Sequence, residues 1–298
     1  MPYTESTSQL ELELDQIKKW ENDQRNLWFW EKIGRMPFQL LDRLTPKAIQ
    51  RKLGSLLDEL GSYVQTGGKY LVSEQHVMKK LQQNAIKHCG QALPAAAADK
   101  GHADTNPTHP SIAFARQLPL AVRDRTAEQL REELKHVASL QGAATGVGGI
   151  FTLSIDIPAM LGMSLKVIQE TAFAYGFDPN QQHERAFVVK CLQFVSSDIV
   201  GKQAILKELS EYEDEARSRE TLSVIQGWRE TVIAFTDNIG WKKLFQIIPI
   251  AGIAIGSIMN RSHIHDVAET AQMMYKKRAI HSMLRERKRL EDEAAACD

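Results

Sequence analysis

Apolar side chains recur along this chain at three- and four-residue intervals, the period of helices buried on one side. Leu10, Leu14, Ile17, Leu27 and Ile33 accompany Ser8 and Glu11, a pair spaced as a capping box, and predict a long first helix ending near Gly34 and Pro37. Thr45-Pro46 starts a second helix, with Ile49, Leu53, Leu56, Leu57 and Leu60 on one face and Gly61 after it. Ser73 caps a third through Val77, Met78, Leu81 and Ile86. Thr126 with Gln129 opens a further helix through Leu130, Leu134 and Val137, and Asp178-Pro179 with Gln181 opens another through Val188, Leu192 and Val195. The charged stretch 204–236 implies one or two exposed amphipathic helices, and a last helix covers about 262–291. No strand signal accompanies them, so the expected class is all-α, a multi-helix bundle.

Two segments break the ordinary mixture of charge and grease. Between Lys135 and Asp156 lie twenty residues, HVASLQGAATGVGGIFTLSI, without an acid, a lysine or an arginine. That length would span a bilayer, but four glycines and six polar side chains make weak hydropathy for a span. Each interior helical glycine costs ~1 kcal/mol relative to alanine, so Gly142, Gly146, Gly148 and Gly149 need a compensating close approach by another helix. Asp156-Ile157-Pro158 then reads as the cap and first turn of a new helix running to Tyr175 and Gly176, so residues 136–176 are expected to form a helical hairpin. The second segment, LFQIIPIAGIAIGSIMN, is seventeen residues between Lys243 and Arg261. Pro249 is expected to begin a helix that exposes the small face of Gly252 and Gly256 and ends near Asn260. Two small-faced helices can pair as glycine-rich, charge-free central helices; the alternative is that they enter a bilayer.

Residues 91–112, rich in alanine, proline, threonine and histidine, have no sustained apolar period and read as a flexible insertion. The organisation expected is therefore an N-terminal helical segment over 1–90, the insertion, and a helical core over 113–298 that joins the first segment in one domain. Trp20, Trp28, Phe29 and Trp30 on the first helix serve either its core or a docking edge for a partner or lipid.

Lysine and arginine number 37 and aspartate and glutamate 37, so no global field recruits nucleic acid. The three cysteines, Cys89, Cys191 and Cys297, are spaced like reduced thiols and not like a zinc site, and the amino terminus carries no secretory pattern; a cytoplasmic location is expected. Gly68-Lys69 and Gly201-Lys202 lack the glycine that a P-loop places five residues earlier, where Tyr63 and Ser196 stand. Gly162-Met163-Ser164 runs into Lys166 where a nucleophile elbow needs glycine, and His183-Glu184 lacks the second histidine of a zinc-protease helix. His263 and His265 point to different sides of a helix, and His102 and His109 sit in the insertion, so no metal, cofactor or catalytic set is expected. Asp156, the one charge between Lys135 and Lys166, supports a cap or, with His136 or Asn260, a catalytic pocket. In the last helix Lys276, Lys277, Arg278, Arg285, Arg287, Lys288 and Arg289 suit either anionic lipid or a solvated face of ion pairs.

The hairpin GAATGVGG…DIPAM…YGFD followed by IPIAGIAIGSIMN and a final alanine-containing helix resembles the EcsC protein family over roughly residues 120–280. The positions carrying the resemblance are Gly142, Thr145, Gly146, Gly149, Asp156, Pro158, Tyr175, Gly176, Pro249, Gly252, Gly256 and Asn260; the residues before about 110 are less like the family pattern. The family lacks an established enzymatic activity and takes its name from a gene beside those of an ABC transporter. The resemblance implies a bacterial helical protein with a membrane-linked role and supplies no catalytic residue. The expected function is thus a non-catalytic cytoplasmic protein peripherally associated with a membrane or a membrane protein such as a transporter. The alternatives are an enzyme with a pocket near Asp156, or a soluble homodimer joined through the tryptophan-rich first helix.

Overall fold

A computed structural model describes residues 5–25, 72–89, 112–146, 153–197, 199–210, 231, 234 and 249–297. The described residues form helices and no strand: α1 (Thr7–Arg25), α2 (Glu74–Cys89), α3 (Ile112–Gln117), α4 (Leu120–Gly146), α5 (Leu153–Ala174), α6 (Gln182–Ser196), α7 (Ile199–Ser210) and α8 (Pro249–Cys297). The fold class is all-α. The helix expected over 45–61, the aromatic group Trp28, Phe29 and Trp30, nearly all of the insertion 91–112 and most of the charged stretch 204–236 lie outside the described residues.

Three long helices carry the architecture. α4 runs antiparallel to α8, as successive contacts show: Ser139 meets Ser257 at 2.5 Å, Arg131 reaches Gln272 at 3.4 Å, and Asp124 meets Lys276 at 2.8 Å. α5 folds back on α4 and so runs parallel to α8, with Asp156 near Asn260 and Ser164 near His263. Leu130 and Leu134 of α4, Leu161, Leu165, Ile168 and Ala172 of α5, and Ile264, Val267, Ala271 and Met274 of α8 are buried at the helical period, whereas Val137, expected on the same face as Leu130 and Leu134, is 52% exposed and Ala138 is buried in its place. α2 covers α4 through Asn84, whose amide donates to Thr126 and Gln129. α1 lies on the far half of α8, where Glu13 and Glu21 take Lys276 and Lys277.

The two small faces meet where α4 crosses α8. A Cβ built on Gly142 would stand 2.1 Å from the Gly256 carbonyl oxygen, so two backbones touch with no side chain between them. Glycine is required there by close approach. At the other end of α5 it is required by conformation: Gly176 has φ +83°, its N–H donates to the Phe173 carbonyl, and the Phe177 N–H reaches back to Ala172. These are the two bonds of a Schellman stop, and the Arg116 side chain fills the space a Cβ would need.

Several helix boundaries differ from expectation. The capping box is Ser6 with Gln9, two residues before the expected pair: the Gln9 amide donates to Ser6 Oγ and the Ser6 amide to Gln9 Oε1. Thr126 is interior to α4, which starts after Pro119 with the Glu5 carboxylate accepting from the Leu120 N–H at 2.5 Å. α6 begins after Gln181, because Asp178 holds the Asn180 N–H in a turn and delays the helix. α8 does begin at Pro249 but does not end near Asn260; it continues unbroken for 49 residues, since no glycine or proline follows Gly256 and Asn260 turns inward instead of capping.

Candidate functional site

Asp156 was expected to cap the helix that follows it. α5 instead starts at Leu153, so Asp156 lies within its first turn, where the helix dipole favours a negative charge. Pro158 follows early enough in the helix to forfeit only one backbone bond. The Asp156 side chain is 1% exposed and faces both neighbouring helices. Its Oδ1 accepts from Gln141 Nε2 at 3.0 Å, Thr145 Oγ1 at 3.0 Å and Asn260 Nδ2 at 3.1 Å. Thr145 has one proton and two acceptors at that same distance, Asp156 Oδ1 and the Gln141 carbonyl, so it serves one at a time. Three neutral donors from α4 and α8 converge on this one oxygen of the buried carboxylate, which ties three helices to one atom.

One turn to either side the same interface is lined by small polar pairs. Ser139 and Ser257 share a hydrogen bond between α4 and α8. Ser164 donates to the Met160 carbonyl at 2.8 Å and lies 3.2 Å from His263 Nε2. Ser164 has one proton to give, so the direction of its bond with His263 is set by the His263 tautomer. His136, the other partner considered for Asp156, is exposed on the outer side of α4 beside Val137 and Leu140. Asn260 is brought to Asp156 as a donor, and the arrangement is a polar clasp.

The remaining sequence-derived positions divide between two ends of the bundle. Gly146 is buried at the end of α4, Gly252 and Gly256 lie in the first turns of α8, and Gly149 is outside the described residues. Tyr175 and Gly176 sit at the opposite end. The Tyr175 hydroxyl donates to Asp124 Oδ1, and burial, then the Asp124 charge, pushes its pKa well above the ordinary tyrosine value. Asp124 also takes Lys276, which is paired with Glu13 at 2.7 Å; burial opposes the charge on Lys276, but these carboxylates outweigh it and raise its pKa.

Sequence reasoning missed the most buried ion pair of this end. Arg278 donates through both terminal nitrogens to Glu184, at 2.8 and 2.6 Å, and its guanidinium lies 4.2 Å from the Phe187 ring centre and 4.3 Å from that of Phe177. Burial alone would raise the Glu184 pKa; hydrogen bonds from His183 and Arg278 and their charges win and hold it below the ordinary range. The first part of the basic run, Lys276 to Arg278, is therefore turned inward onto acids of α1, α4 and α6, and neither expected role, lipid contact or solvated face, describes it. Trp20 is partly buried and packs near Phe194 of α6, with ring centres 6.1 Å apart.

The charge-free end has an unusual exterior. Val137 and Leu140 of α4, Ile155 of α5, and Ile253 and Ile258 of α8 are all exposed large apolar side chains, and all fall in the two charge-free segments. Charge resumes on both helices at one level: Lys135 and Arg131 of α4 and Arg261 of α8 gather around Glu132, at 2.7, 3.6 and 4.0 Å. Charged side chains on α4 and α8 hold Glu132 below its usual range, chiefly the hydrogen bond from Lys135.

What the fold and its centre define is a helical bundle built on a glycine-to-glycine helix crossing and a carboxylate clasp, with no cluster of His, Cys, Asp and Glu arranged to hold a metal among the described residues. The chain belongs to the EcsC protein family, whose model matches residues 11–280. The match starts well before residue 120, so the N-terminal helices share the family pattern that the sequence resemblance had confined to the later part. Two similar proteins come from Bacillus subtilis (strain 168). Uncharacterized protein YdbA is 48% identical over 286 residues, 96% of this chain and 98% of its own length. Protein EcsC is 29% identical over 163 residues, 55% of this chain and 66% of its own length. No solved structure matches the chain.

Proposed function

We propose that this protein is a non-catalytic cytoplasmic helical protein that works peripherally at a membrane or a membrane protein such as a transporter. The observation that carries the reading is the set Val137, Leu140, Ile155, Ile253 and Ile258, exposed on charge-free parts of three different helices at one end of the bundle. Scattered exposed apolar residues need no explanation, but a concentration of them where no ion interrupts the surface marks a contact site. No helix among the described residues is long and apolar enough to cross a membrane, which fits attachment in preference to spanning. The clasp at Asp156 gives this end a fixed shape, with its carboxylate held by three donors and withheld from the surface.

Fractionation of cells expressing the full chain tests the proposal. The protein is expected in the membrane fraction and is expected to leave it on carbonate extraction, as attached proteins do. Recovery in the soluble fraction alone, with the fold intact, removes the reading.

A further inference from the structure

Resting on that peripheral reading, we infer that the charge-free end is a tip that enters the headgroup–acyl boundary of an anionic bilayer end-on, with Leu140, Ile155 and Ile258 as inserted side chains. Direction is the first argument. Gly142 and Gly256 face each other across the α4–α8 crossing. At about 100° per residue, Leu140 lies roughly 160° round α4 from Gly142 and Ile258 roughly 160° round α8 from Gly256. The two side chains therefore point to opposite flanks of the helix pair, and they are 74% and 67% exposed; Ile155 on α5 is 56% exposed. A protein docking on one face covers one flank. A fluid acyl layer surrounds them all.

Charge agrees with that medium. Where charge resumes, the Arg261 side chain is 47% exposed, while Arg131 and Lys135 are largely covered and paired with Glu128 and Glu132. The acid that bounds the first segment, Asp156, is buried in the clasp and presents no charge to the lipid. An apolar tip with the exposed Arg261 guanidinium at its rim is complementary to acyl chains beneath anionic headgroups.

The test uses the purified full chain with vesicles of phosphatidylcholine alone and of equimolar phosphatidylcholine and phosphatidylglycerol. Sedimentation is expected with the anionic vesicles, weaker with the neutral ones and weakened by salt. Leu140→Ser with Ile258→Ser should lower partitioning by about tenfold or more, while Leu12→Ser, on the exposed face of α1 near the other end, leaves it unchanged. Because substitution can disturb the fold, a lipid carrying a photoactivatable acyl group gives a second readout on the unaltered chain: cross-links should fall within 136–155 or 249–260. No binding to either vesicle, equal binding to both, full binding by the double variant, or cross-links only elsewhere each overturns the inference. Membrane fractionation in cells without vesicle binding overturns direct lipid insertion while leaving the peripheral reading in place, with a protein as the receptor.

Discussion

The two ends of the α4–α5–α8 bundle bury polar groups by opposite strategies. At the end formed by Tyr175, Asp124, Lys276, Glu184 and Arg278, charges are taken into the interior in opposite-sign pairs. At the other, a single carboxylate is held by neutral donors, serines bridge helices, and glycine lets backbones touch. Their exteriors differ in the same sense, since the large exposed hydrophobics of α4, α5 and the first third of α8 all belong to the charge-free end. Ion pairs need long side chains and so hold helices apart, whereas glycine and serine draw them together.

The largest effect is expected where the contrast is greatest. Arg278→Ala leaves Glu184 buried without its guanidinium and should cost about 3–5 kcal/mol. Replacing both residues with apolar side chains of similar size should recover most of that loss, and urea denaturation of single and double variants measures it. The same pair sets a pH dependence. Glu184 has a depressed pKa in the fold, so its contribution is complete above the unfolded glutamate pKa and disappears as pH falls through the lower folded value. Lys276 is raised, so its contribution is complete below the unfolded lysine pKa and disappears as pH rises through the folded one. Glu170 of α5 works against the acid loss, because burial raises its pKa more than Lys166 lowers it. The wild type should therefore lose stability at both extremes, and Glu184→Gln should flatten the acid limb.

At the charge-free end the sharpest test is Gly142→Ala. A methyl group aimed at the Gly256 carbonyl must push the two backbones apart, at a cost of about 1–3 kcal/mol or more. Asp156→Asn is expected to cost somewhat less, about 1–2 kcal/mol, because a neutral amide oxygen at the Oδ1 position holds the donors of Gln141, Thr145 and Asn260 more weakly than a carboxylate oxygen. Were both substitutions neutral by thermal melting, this end would be loosely packed and the contrast between the ends would vanish.

How much of this was legible follows from range. The period of Leu130 and Leu134 is local information and located α4's buried face except at Val137, whose place Ala138 takes, and the four-residue glycine spacing announced the crossing that Gly142 and Gly256 make. Helix starts were less legible, because Ser6 and Ser8, or Asp178 and Gln181, offer competing signals within one turn, and α4 is capped by Glu5 from 115 residues away. The clasp was half visible: Asp156 and Asn260 stood out as isolated polar residues in apolar runs, but nothing local says that Gln141 and Thr145 turn toward them. The basic run at Lys276–Arg278 looked like surface because its partners Glu13, Glu21, Asp124 and Glu184 are scattered through the chain. Burial of a charge is decided by its partner, and no periodicity records that.

The smallest effect separates required glycine from incidental glycine. Gly162 lies in α5 between the two ends, has no left-handed backbone, and a Cβ built on it meets nothing within 4 Å. Its helical conformation suits alanine, and the substitution removes freedom from the unfolded chain without adding a clash. Gly162→Ala should therefore stabilise the protein by about 0.5–1 kcal/mol, against the loss expected at Gly142. The difference in sign is the measurement that matters, because helix propensity favours alanine equally at both positions and only the approach of Gly256 tells them apart. If Gly142→Ala also stabilised, the crossing would have room for a methyl group, and glycine there would carry no packing role.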